Sequence, residues 1–506
     1  MQLSPQDLTQ LDAKGLSKEE LIKQIAIFKE GIPFVNLIKP ATIGDGIQAL
    51  DASTHDAYIH LYEKSNAKVI KFTPASGAAT RMFKLMHQFM ENVDSQESFD
   101  FLLKKDKYLS LYKFAKNMHQ MGFYPLIEAY FNKTISDFSS LNYKEKAYLA
   151  FQAMLDPTQL GFADLPKGLI TFHAYDGKLE TAFGEHFYEA IAYACKGEKT
   201  YLHFTISEEH LEKFEETTKA LQQRMRDEFQ VECEVKFSFQ ESYTDTVAVD
   251  LNNKPFRDKE GNLFFRPGGH GSLIENLNQL EADLIFIKNI DNIPHRKLLH
   301  TNEKYKKLLA GYLLEIQAKL FGLTEELLAS NGESELIERA SKFAREKLRL
   351  PQEFSSKEEL LSAFQKPLRV CGMVKNEGAP GGGPFWMKNA AGNTSLQIVE
   401  KSQIDLNDDE QYKMLQESSH FNPVDLVCSV KNHKGEKYDL TKFVNHKRGF
   451  ITHKTVGAKE IKALEKPGLW NGGMELWNTI FVEVPSETFC PVKTIMDLGD
   501  EAHLAG

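Results

Sequence analysis

Residues 68–84 read KVIKFTPASGAATRMFK. This stretch predicts a strand, a tight loop and a helix, and it is the most informative part of the sequence for the fold. Val69, Ile70 and Phe72 predict a buried strand, and the apolar residues from Met82 onward recur at helical spacing. Small side chains fill the loop between them. Such a loop lets backbone N–H groups approach an anion closely at a helix start, but an ordinary strand-to-helix turn would have the same composition. The stretch therefore predicts either a phosphate-binding loop or a plain turn.

Two well-known phosphate-binding motifs do not fit this loop. A P-loop ends in Gly-Lys-Ser or Gly-Lys-Thr, whereas this loop ends in Ala79, Thr80 and Arg81. The dinucleotide-binding fingerprint needs three spaced glycines, and only Gly77 is present. The guanidinium of Arg81 still suits phosphate, because its planar fork can donate two hydrogen bonds. The candidate phosphate ligands are therefore Arg81 and the backbone of the loop.

The overall composition is that of a large globular protein. The chain has 506 residues, 42% hydrophobic and 26% charged, which predicts two or three domains. Its formal net charge of −10 argues against a general nucleic-acid binder. The five cysteines form no CxxC pair, which is typical of reduced thiols in a cytoplasmic protein. The polar N-terminus predicts no signal peptide, and no apolar run is long enough to span a membrane.

The order of the predicted elements indicates an α/β fold. From about residue 168 to residue 290, strands alternate with helices, which predicts a doubly wound, mainly parallel sheet. We expect four regions: an N-terminal helical appendage, an α/β core with a helical insertion, a helical segment, and a strand-rich C-terminal part. Their predicted bounds are 1–66, 67–294 with the insertion at 91–160, 295–366, and 367–506.

Further candidate residues fall where an open α/β sheet binds its ligands, at the carboxyl ends of its strands. Lys167, between Pro166 and Gly168, could reach a phosphate or could be a surface lysine in a turn. The glycine-rich loop 267–271 could expose its backbone to a flat ligand such as a base, or could be a sharp turn before a helix. Gln240, at a strand end, is a weaker candidate for reading the base.

An apolar strand predicted over residues 283–290 ends in polar side chains, among them Asn289, Asp291 and Asn292. A carboxylate at the carboxyl end of a strand is well placed to hold Mg²⁺, which takes carboxylate and substrate phosphate oxygens. Asp and Asn also favour tight turns, so a turn is the alternative. We favour the magnesium site, because it would share a sheet edge with the candidate phosphate loop. His270 is expected to be packed rather than metal-bound, since no second histidine is suitably spaced.

Polar residues lie beside glycine and tryptophan in the C-terminal part. Asn471 and Gly472 follow Trp470, and Glu400 ends a predicted strand. This combination suits a sugar, because hydroxyl groups need hydrogen bonds and the faces of the ring are apolar. Tight turns with a core tryptophan are the alternative explanation.

Taken together and in this order, these stretches resemble the UDP-sugar and UDP-N-acetylhexosamine pyrophosphorylases. The chain also resembles a bacterial family of similar length that is known only as a domain of unknown function. Six short motifs in a fixed order are specific, although each alone is not. The motifs are residues 80–82, 166–168, 267–271, 289–292, 399–400 and 470–472.

The resemblance implies a GT-A-like, Rossmann-like nucleotidyltransferase fold. It also implies a Mg²⁺-dependent reaction of a nucleoside triphosphate, such as UTP, with a sugar 1-phosphate to give a nucleotide sugar and pyrophosphate. Arg81 and Lys167 would contact the phosphates, and Asp291 would hold Mg²⁺. The other implied nucleotide contacts are Ala75, Ser76, Gly77, Ala78, Thr80, Gln240, Gly268, Gly269 and His270. The implied sugar contacts are Asn289, Glu400, Asn471 and Gly472.

The loop departs from the family pattern, which usually carries two or three glycines, because only Gly77 remains. Alanine restricts positive φ, so this loop could hold phosphates less closely. A second hypothesis is therefore a non-catalytic protein that binds a nucleotide or nucleotide sugar on the same fold. A transferase that consumes a nucleotide sugar fits less well, since its Asp-x-Asp motif is replaced by Asn289, Ile290 and Asp291. The sequence does not determine the base, the sugar or the oligomeric state.

Overall fold

The structure is a computed structural model that describes residues 3–77, 79–378, 381–388, 392–457 and 459–505. The chain divides into two compact units, each assembled from three segments. The first unit comprises Met1–Val69, Ser238–Ile287 and Lys307–Pro485. The second comprises Ile70–Phe237, Lys288–Lys306 and Ser486–Gly506. The candidate phosphate loop, Lys167 and Asp291 therefore belong to the second unit, and the glycine-rich loop, Glu400 and Asn471 belong to the first.

Local capping signals set several of the helix starts. The Ser4 hydroxyl accepts from the backbone N–H of Asp7, whose carboxylate accepts from the backbone N–H of Ser4. Asn142 and Glu145 form the same reciprocal cap. The α-helices are α1 (Pro5–Lys14), α2 (Lys18–Glu30), α3 (Ala52–Lys64), α4 (Lys84–Met90), α5 (Gln96–Leu102), α6 (Leu109–Asn117), α7 (Tyr124–Phe131), α8 (Tyr143–Leu155), α9 (Ala182–Tyr193), α10 (Leu211–Phe229), α11 (Leu273–Asn278), α12 (Leu299–Ala329), α13 (Ser334–Glu346), α14 (Lys357–Phe364) and α15 (Asp409–Gln416).

The strands are short, and many are buried along most of their length. They are β1 (Asn36–Pro40), β2 (Thr42–Ile43), β3 (Gly46–Gln48), β4 (Val69–Pro74), β5 (Thr171–Tyr175), β6 (Lys178–Thr181), β7 (Lys199–Thr205), β8 (Glu232–Ser238), β9 (Thr246–Val249), β10 (Phe265–Arg266), β11 (Leu284–Ile287), β12 (Leu368–Lys375), β13 (Gly383–Lys388), β14 (Thr394–Val399), β15 (His420–Phe421), β16 (Leu426–Ser429), β17 (Phe450–Val456), β18 (Lys459–Glu465) and β19 (Asn478–Glu483).

The main sheet of the first unit has the strand order β2-β3-β19-β12-β16-β11. The pairs β2·β3, β3·β19 and β19·β12 are parallel, with Val370 opposite Ile480 in the last pair. Strand β16 is antiparallel to both of its neighbours. Parallel strands packed with helices confirm the predicted α/β class with a mainly parallel sheet.

In the second unit, β4 and β7 pair in parallel, so that Phe72 lies opposite His203, and β8 adjoins β7. The backbone N–H of Lys288 donates to the Phe72 carbonyl, and that of Ile290 donates to the Pro74 carbonyl, both at 3.3 Å. Residues 288–290 therefore run alongside β4 in the same direction. As a result, the candidate phosphate loop and Asp291 both emerge at the carboxyl end of β4, the usual position for ligands in such sheets.

The helical insertion forms an aromatic core in the second unit. Phe89, Phe99 and Phe151 are fully buried, with ring centroids 5.2 to 6.3 Å apart in edge-to-face contacts. Val492 and Ile495, from the C-terminal segment, are buried in the same core. The insertion therefore anchors the C-terminal segment of the chain.

Two smaller sheets complete the first unit. Helices α1 and α2 pack on the four-stranded sheet β10-β9-β18-β17, where Leu21 and Ile25 share a core with Val247 and Leu464. A three-stranded sheet has the order β1-β13-β14. Among the residues that the structure describes, no helix combines the length and the apolar character needed to cross a bilayer.

Candidate functional site

The candidate phosphate loop, residues 75–81, is held by backbone hydrogen bonds at both ends. The Ala75 N–H donates to the Thr205 carbonyl on β7 at 2.7 Å. The Lys167 N–H donates to the Gly77 carbonyl, and the Ala79 N–H donates to the Leu165 carbonyl, both at 3.2 Å. The loop is therefore hydrogen-bonded to the segment that carries Lys167, although the whole helical insertion separates the two in sequence.

The outer side of this loop is open. Gly77 is exposed, and a Cβ added to it would meet no atom of the described residues within 4 Å, its chain neighbours aside. Thr80 and Arg81 are exposed as well, on the short 3-10 turn Ala79–Arg81. Ser76 is half-buried, and its carbonyl accepts from the Ser207 hydroxyl at 3.3 Å. The predicted contact Ala78 lies outside the described residues. Space beside Gly77 is what a ligand phosphate would need.

Two lysines converge on Asp291. The Lys167 Nζ donates to Asp291 Oδ2 at 2.9 Å, and the Lys493 Nζ donates to the same oxygen at 3.0 Å. The Lys167 Nζ also donates to the Val492 carbonyl at 3.0 Å. Lys167, Asp291 and Lys493 are called the lysine–aspartate cluster below. The structure therefore brings the predicted phosphate contact Lys167 to the predicted magnesium ligand Asp291, and it adds Lys493, which sequence reasoning missed.

The electrostatics of the lysine–aspartate cluster favour an anion. Burial raises the pKa of the Asp291 carboxyl, but the charges of Lys167 and Lys493 outweigh it and hold that pKa below its usual range. One carboxylate against two ammonium groups leaves a net positive charge. Asp291 Oδ1 is buried without a hydrogen-bond partner among the described residues. The cluster thus has a positive charge for phosphate and one free carboxylate oxygen.

The same geometry tests the predicted magnesium site. Mg²⁺ would have to compete with two ammonium groups for Asp291, and no group of three or more His, Cys, Asp or Glu residues suited to a metal occurs in the described part of the chain. These residues do not fit a resident magnesium ion. That Asp291 binds Mg²⁺ stays a prediction, and the lysine pairing weighs against it.

Lys493 could hardly have been found from sequence, because 202 positions separate it from Asp291. Its segment is fixed at several points. The Val492 N–H donates to the Asp291 carbonyl at 2.9 Å, and the Ile495 N–H donates to the Met82 carbonyl at 3.1 Å. The Lys493 N–H donates to Asp497 Oδ2 at 2.7 Å. Asp497 therefore shapes the turn that presents Lys493.

A fully buried charge cluster supports this end of the sheet. Lys71, on β4, and Lys288 donate to the two carboxylate oxygens of Glu189, at 2.8 and 2.6 Å. Burial lowers the pKa of Lys71 to about 7, against the raising effect of Glu189. The Nε2 of His186 lies 3.1 Å from the Ile290 carbonyl. These contacts fix both β4 and the segment that leads to Asp291.

A second group of candidate residues comes together in the first unit. The His270 ring stacks on the Trp470 ring, with centroids 4.9 Å apart and planes at 29°. The Asn471 Nδ2 donates to Glu400 Oε1 at 3.0 Å, and His270 Nε2 lies 4.0 Å from that oxygen. His270, Glu400, Trp470 and Asn471 are called the tryptophan cluster below. His270, which is also an implied nucleotide contact, is half-buried and packs on Trp470.

The tryptophan cluster offers a carboxylate beside an aromatic surface. Burial, and to a smaller extent the charge of Glu465, raises the pKa of Glu400. Burial also lowers the pKa of His270, which favours its neutral form. Asn471 is buried, and its Oδ1 accepts from the Gly472 N–H at 2.7 Å. Both ends of the Asn471 amide are therefore engaged, and this residue orients Glu400.

Packing and backbone geometry account for three glycines that neighbour the tryptophan cluster in sequence. A Cβ on Gly268 would lie 2.8 Å from the Thr244 carbonyl oxygen, and Gly269 has a φ of +61°. A Cβ on Gly472 would lie 2.5 Å from the Arg448 Cβ. These glycines are needed for the turns themselves.

Asn289 and Gln240 lie outside the sequence ranges of the candidate phosphate loop and the glycine-rich loop, and neither is a member of the two clusters. Asn289, predicted to contact a sugar, lies in the second unit, where its carbonyl accepts from the Asn292 N–H at 3.1 Å. Gln240 is half-buried and follows β8.

The sequence matches the family described as Domain of unknown function (DUF4301) over residues 4–504. The chain belongs to that family. The predicted membership in an uncharacterised family is therefore confirmed. Among proteins with curated functions, none matches the chain.

Solved structures with a similar arrangement include UDP-glucose pyrophosphorylases. One is described as the UDP-glucose phosphorylase from Trypanosoma brucei, with 12% identity and a TM-score of 0.44, covering 97% of this chain and 77% of that one. Another is a variant of the UDP-glucose pyrophosphorylase from Leishmania major in complex with UDP-glucose. It has 13% identity and a TM-score of 0.43, covering 98% of this chain and 79% of that one. At this level of similarity, function has to be argued from the side chains.

Proposed function

We propose that this protein is a nucleotidyltransferase that joins a nucleoside triphosphate to a sugar 1-phosphate and releases pyrophosphate. One observation carries the proposal: Lys167 and Lys493 meet at Asp291, where the carboxyl end of β4 leads into the open loop at Gly77. The net positive charge and the free space suit the phosphates of the nucleotide.

The reaction needs charge and positioning more than acid–base chemistry. An oxygen of the sugar phosphate attacks the α-phosphorus, the bond from that phosphorus to the bridging oxygen breaks, and pyrophosphate leaves in line. The attacking phosphate is already ionised, so no general base is required. Lys167 and Lys493 would bind the phosphates and stabilise the charge on the departing pyrophosphate, and Arg81 would add a third cation. Mg²⁺ would arrive on the triphosphate as part of the substrate.

The tryptophan cluster is proposed to bind the sugar. Its stacked rings offer an apolar surface to a sugar face, and the Glu400 carboxylate can accept hydrogen bonds from hydroxyl groups. Asn471 would hold that carboxylate in place. The motif resemblance favours a uridine nucleotide.

A ligand panel followed by an activity assay tests the proposal. The full chain is titrated by thermal shift with the four ribonucleoside triphosphates and common nucleotide sugars, with and without Mg²⁺. A ligand at 100 times its Kd adds about 2.7 kcal/mol of apparent stability, which is easily measured. Pyrophosphate release is then followed with a panel of sugar 1-phosphates. Nucleotide binding and turnover by the wild type, with binding lost in Lys167→Met, would support the proposal.

Two outcomes would contradict it. Binding without turnover of any sugar 1-phosphate would favour the alternative, a non-catalytic protein that binds a nucleotide or nucleotide sugar. No binding by any nucleotide would mean that the loop is an ordinary turn.

A further inference from the structure

A buried arginine lies directly beneath the tryptophan cluster. Arg369 is on β12, and none of its surface is exposed. Its Nε donates to the Thr479 hydroxyl on β19 at 2.8 Å. Its Nη1 donates to the backbone carbonyl of Trp470 at 2.6 Å. The guanidinium therefore links the central sheet to the loop that carries the tryptophan cluster.

Burial lowers the pKa of Arg369 and outweighs the opposing charge of Glu475. Among the described residues, no carboxylate forms an ion pair with Arg369, and its Nη2 has no hydrogen-bond partner. An isolated charge inside a protein is costly unless it is paired and fully hydrogen-bonded. A residue that only filled this space would be more stable as an apolar side chain. The charge therefore calls for a role other than stability.

The position of the Trp470 carbonyl affects two parts of the tryptophan cluster at once. The Trp470 side chain stacks on His270, and the next residue, Asn471, donates to Glu400. A shift of this carbonyl would displace the aromatic surface and the carboxylate together. A charged donor makes a stronger and better oriented hydrogen bond than a neutral one.

We propose that Arg369 is a positioning residue for the tryptophan cluster. By fixing the Trp470 carbonyl, it sets the geometry with which Glu400 and the stacked rings meet the sugar. This inference rests on the proposed function. It adds that affinity for the sugar, rather than for the nucleotide phosphates, depends on a group that touches neither substrate.

Kinetics of Arg369→Met provide the first test. Loss of the bond from Nη1 should displace the Trp470 carbonyl, so we expect the KM for the sugar 1-phosphate to rise on the order of tenfold, equivalent to about 1.4 kcal/mol of binding. The KM for the nucleotide should stay unchanged. Tm should change little, because removal of the buried charge offsets the loss of two hydrogen bonds. Arg369→Lys keeps the positive charge but lacks the planar guanidinium group. It should therefore recover part of the affinity for the sugar 1-phosphate.

Thr479→Val is the matched control. It removes the partner of Nε and leaves the bond from Nη1 to Trp470 in place. It should leave the KM for the sugar close to wild type. An unchanged sugar KM in Arg369→Met would overturn the inference. A parallel rise of both KM values with a lower Tm would mean a merely structural role and would also overturn it.

A spectroscopic readout works without substrate. The chain has three tryptophans, so replacing Trp386 and Trp477 by Phe leaves Trp470 as the reporter. At acid pH, His270 becomes protonated, and its positive charge against the stacked ring should quench the fluorescence of Trp470. Arg369→Met in this background should weaken the quench, and an unchanged quench would overturn the inference. If the wild type turns over no substrate, the proposed function fails, and this measurement still decides the role of Arg369.

Discussion

The ammonium group of Lys493 lies 3.0 Å from Asp291 Oδ2, although 202 residues separate the two in sequence. Lys167 approaches the same oxygen at 2.9 Å from a third part of the chain. Asp291, which was predicted to hold Mg²⁺, thus forms ion pairs with two lysines. The net positive charge of the lysine–aspartate cluster is the observation on which the proposed phosphate site rests.

Replacing Lys493 should impair catalysis and leave folding largely intact. The Lys493 side chain is 45% exposed, so Lys493→Met should change Tm little. Loss of one group that stabilises developing charge typically lowers kcat by about a hundredfold to a thousandfold, and we expect that drop in pyrophosphate release. Lys219→Met, at an exposed position on α10, is the control and should match the wild type. Equal activity of the two variants would remove Lys493 from the site.

Gly77→Ala should separate ligand binding from stability. The added Cβ would project into open space, and the φ of Gly77 lies outside the left-handed region, so the folded state accepts alanine. Stability should change by no more than about 0.5 kcal/mol. Nucleotide affinity should fall, because the methyl group occupies the space proposed for a phosphate.

Gly177→Ala is the opposite control for that experiment. Gly177 also faces open space but has a φ of +81°, so alanine there should lose about 1 kcal/mol of stability without affecting ligand. Thermal shift with and without nucleotide measures both effects. Normal nucleotide affinity in Gly77→Ala would indicate that phosphates do not approach the loop.

Asp291→Asn should destabilise the protein in a pH-dependent way. The two lysines hold the pKa of Asp291 below its usual range, so its charge stabilises the fold above the unfolded-state pKa of about 3.9. The variant should lose about 1.5–3 kcal/mol at pH 7, the usual contribution of a hydrogen bond to a charged group. The difference should disappear as the pH falls through the folded-state pKa. Denaturant melts at pH 7 and in acid measure it.

A surface pair provides the comparison for Asp291. Glu417 and Lys413 form an exposed pair at 3.8 Å, so Glu417→Gln should change stability by at most about 0.5 kcal/mol at any pH. A loss at pH 7 that persisted in acid for Asp291→Asn would point to packing rather than charge.

Glu400→Gln should increase stability and decrease sugar affinity. The pKa of Glu400 is raised by burial, so its ionisation costs stability as the pH rises through and above the unfolded-state value of about 4.3. The variant should therefore be more stable than the wild type at pH 7, and the difference should vanish as the pH falls below the unfolded-state pKa. The KM for the sugar 1-phosphate should rise, because a charged acceptor is lost. A variant with neither effect would leave Glu400 without a role in the site.

The sequence alone determined the local parts of this architecture. The apolar run from Val69 to Phe72 specifies a buried strand, and the small residues that follow specify a tight loop before α4. The polar turn at Asp291 follows the apolar strand β11 (Leu284–Ile287). Because parallel strands place their carboxyl ends at one edge, these local signals sufficed to bring the loop and Asp291 together.

Only the tertiary structure decided which charges meet. Lys493 reaches Asp291 because the aromatic core of the helical insertion holds the C-terminal segment in place. Arg369 lies under Trp470 because β12 and β19 are neighbours in the sheet. Local propensity extends over a few residues, whereas ion pairs and ring stacking depend on which distant segments pack together. The strand, loop and turn were therefore readable from the chain, as were most residues of the two clusters, whereas Lys493 and Arg369 were not.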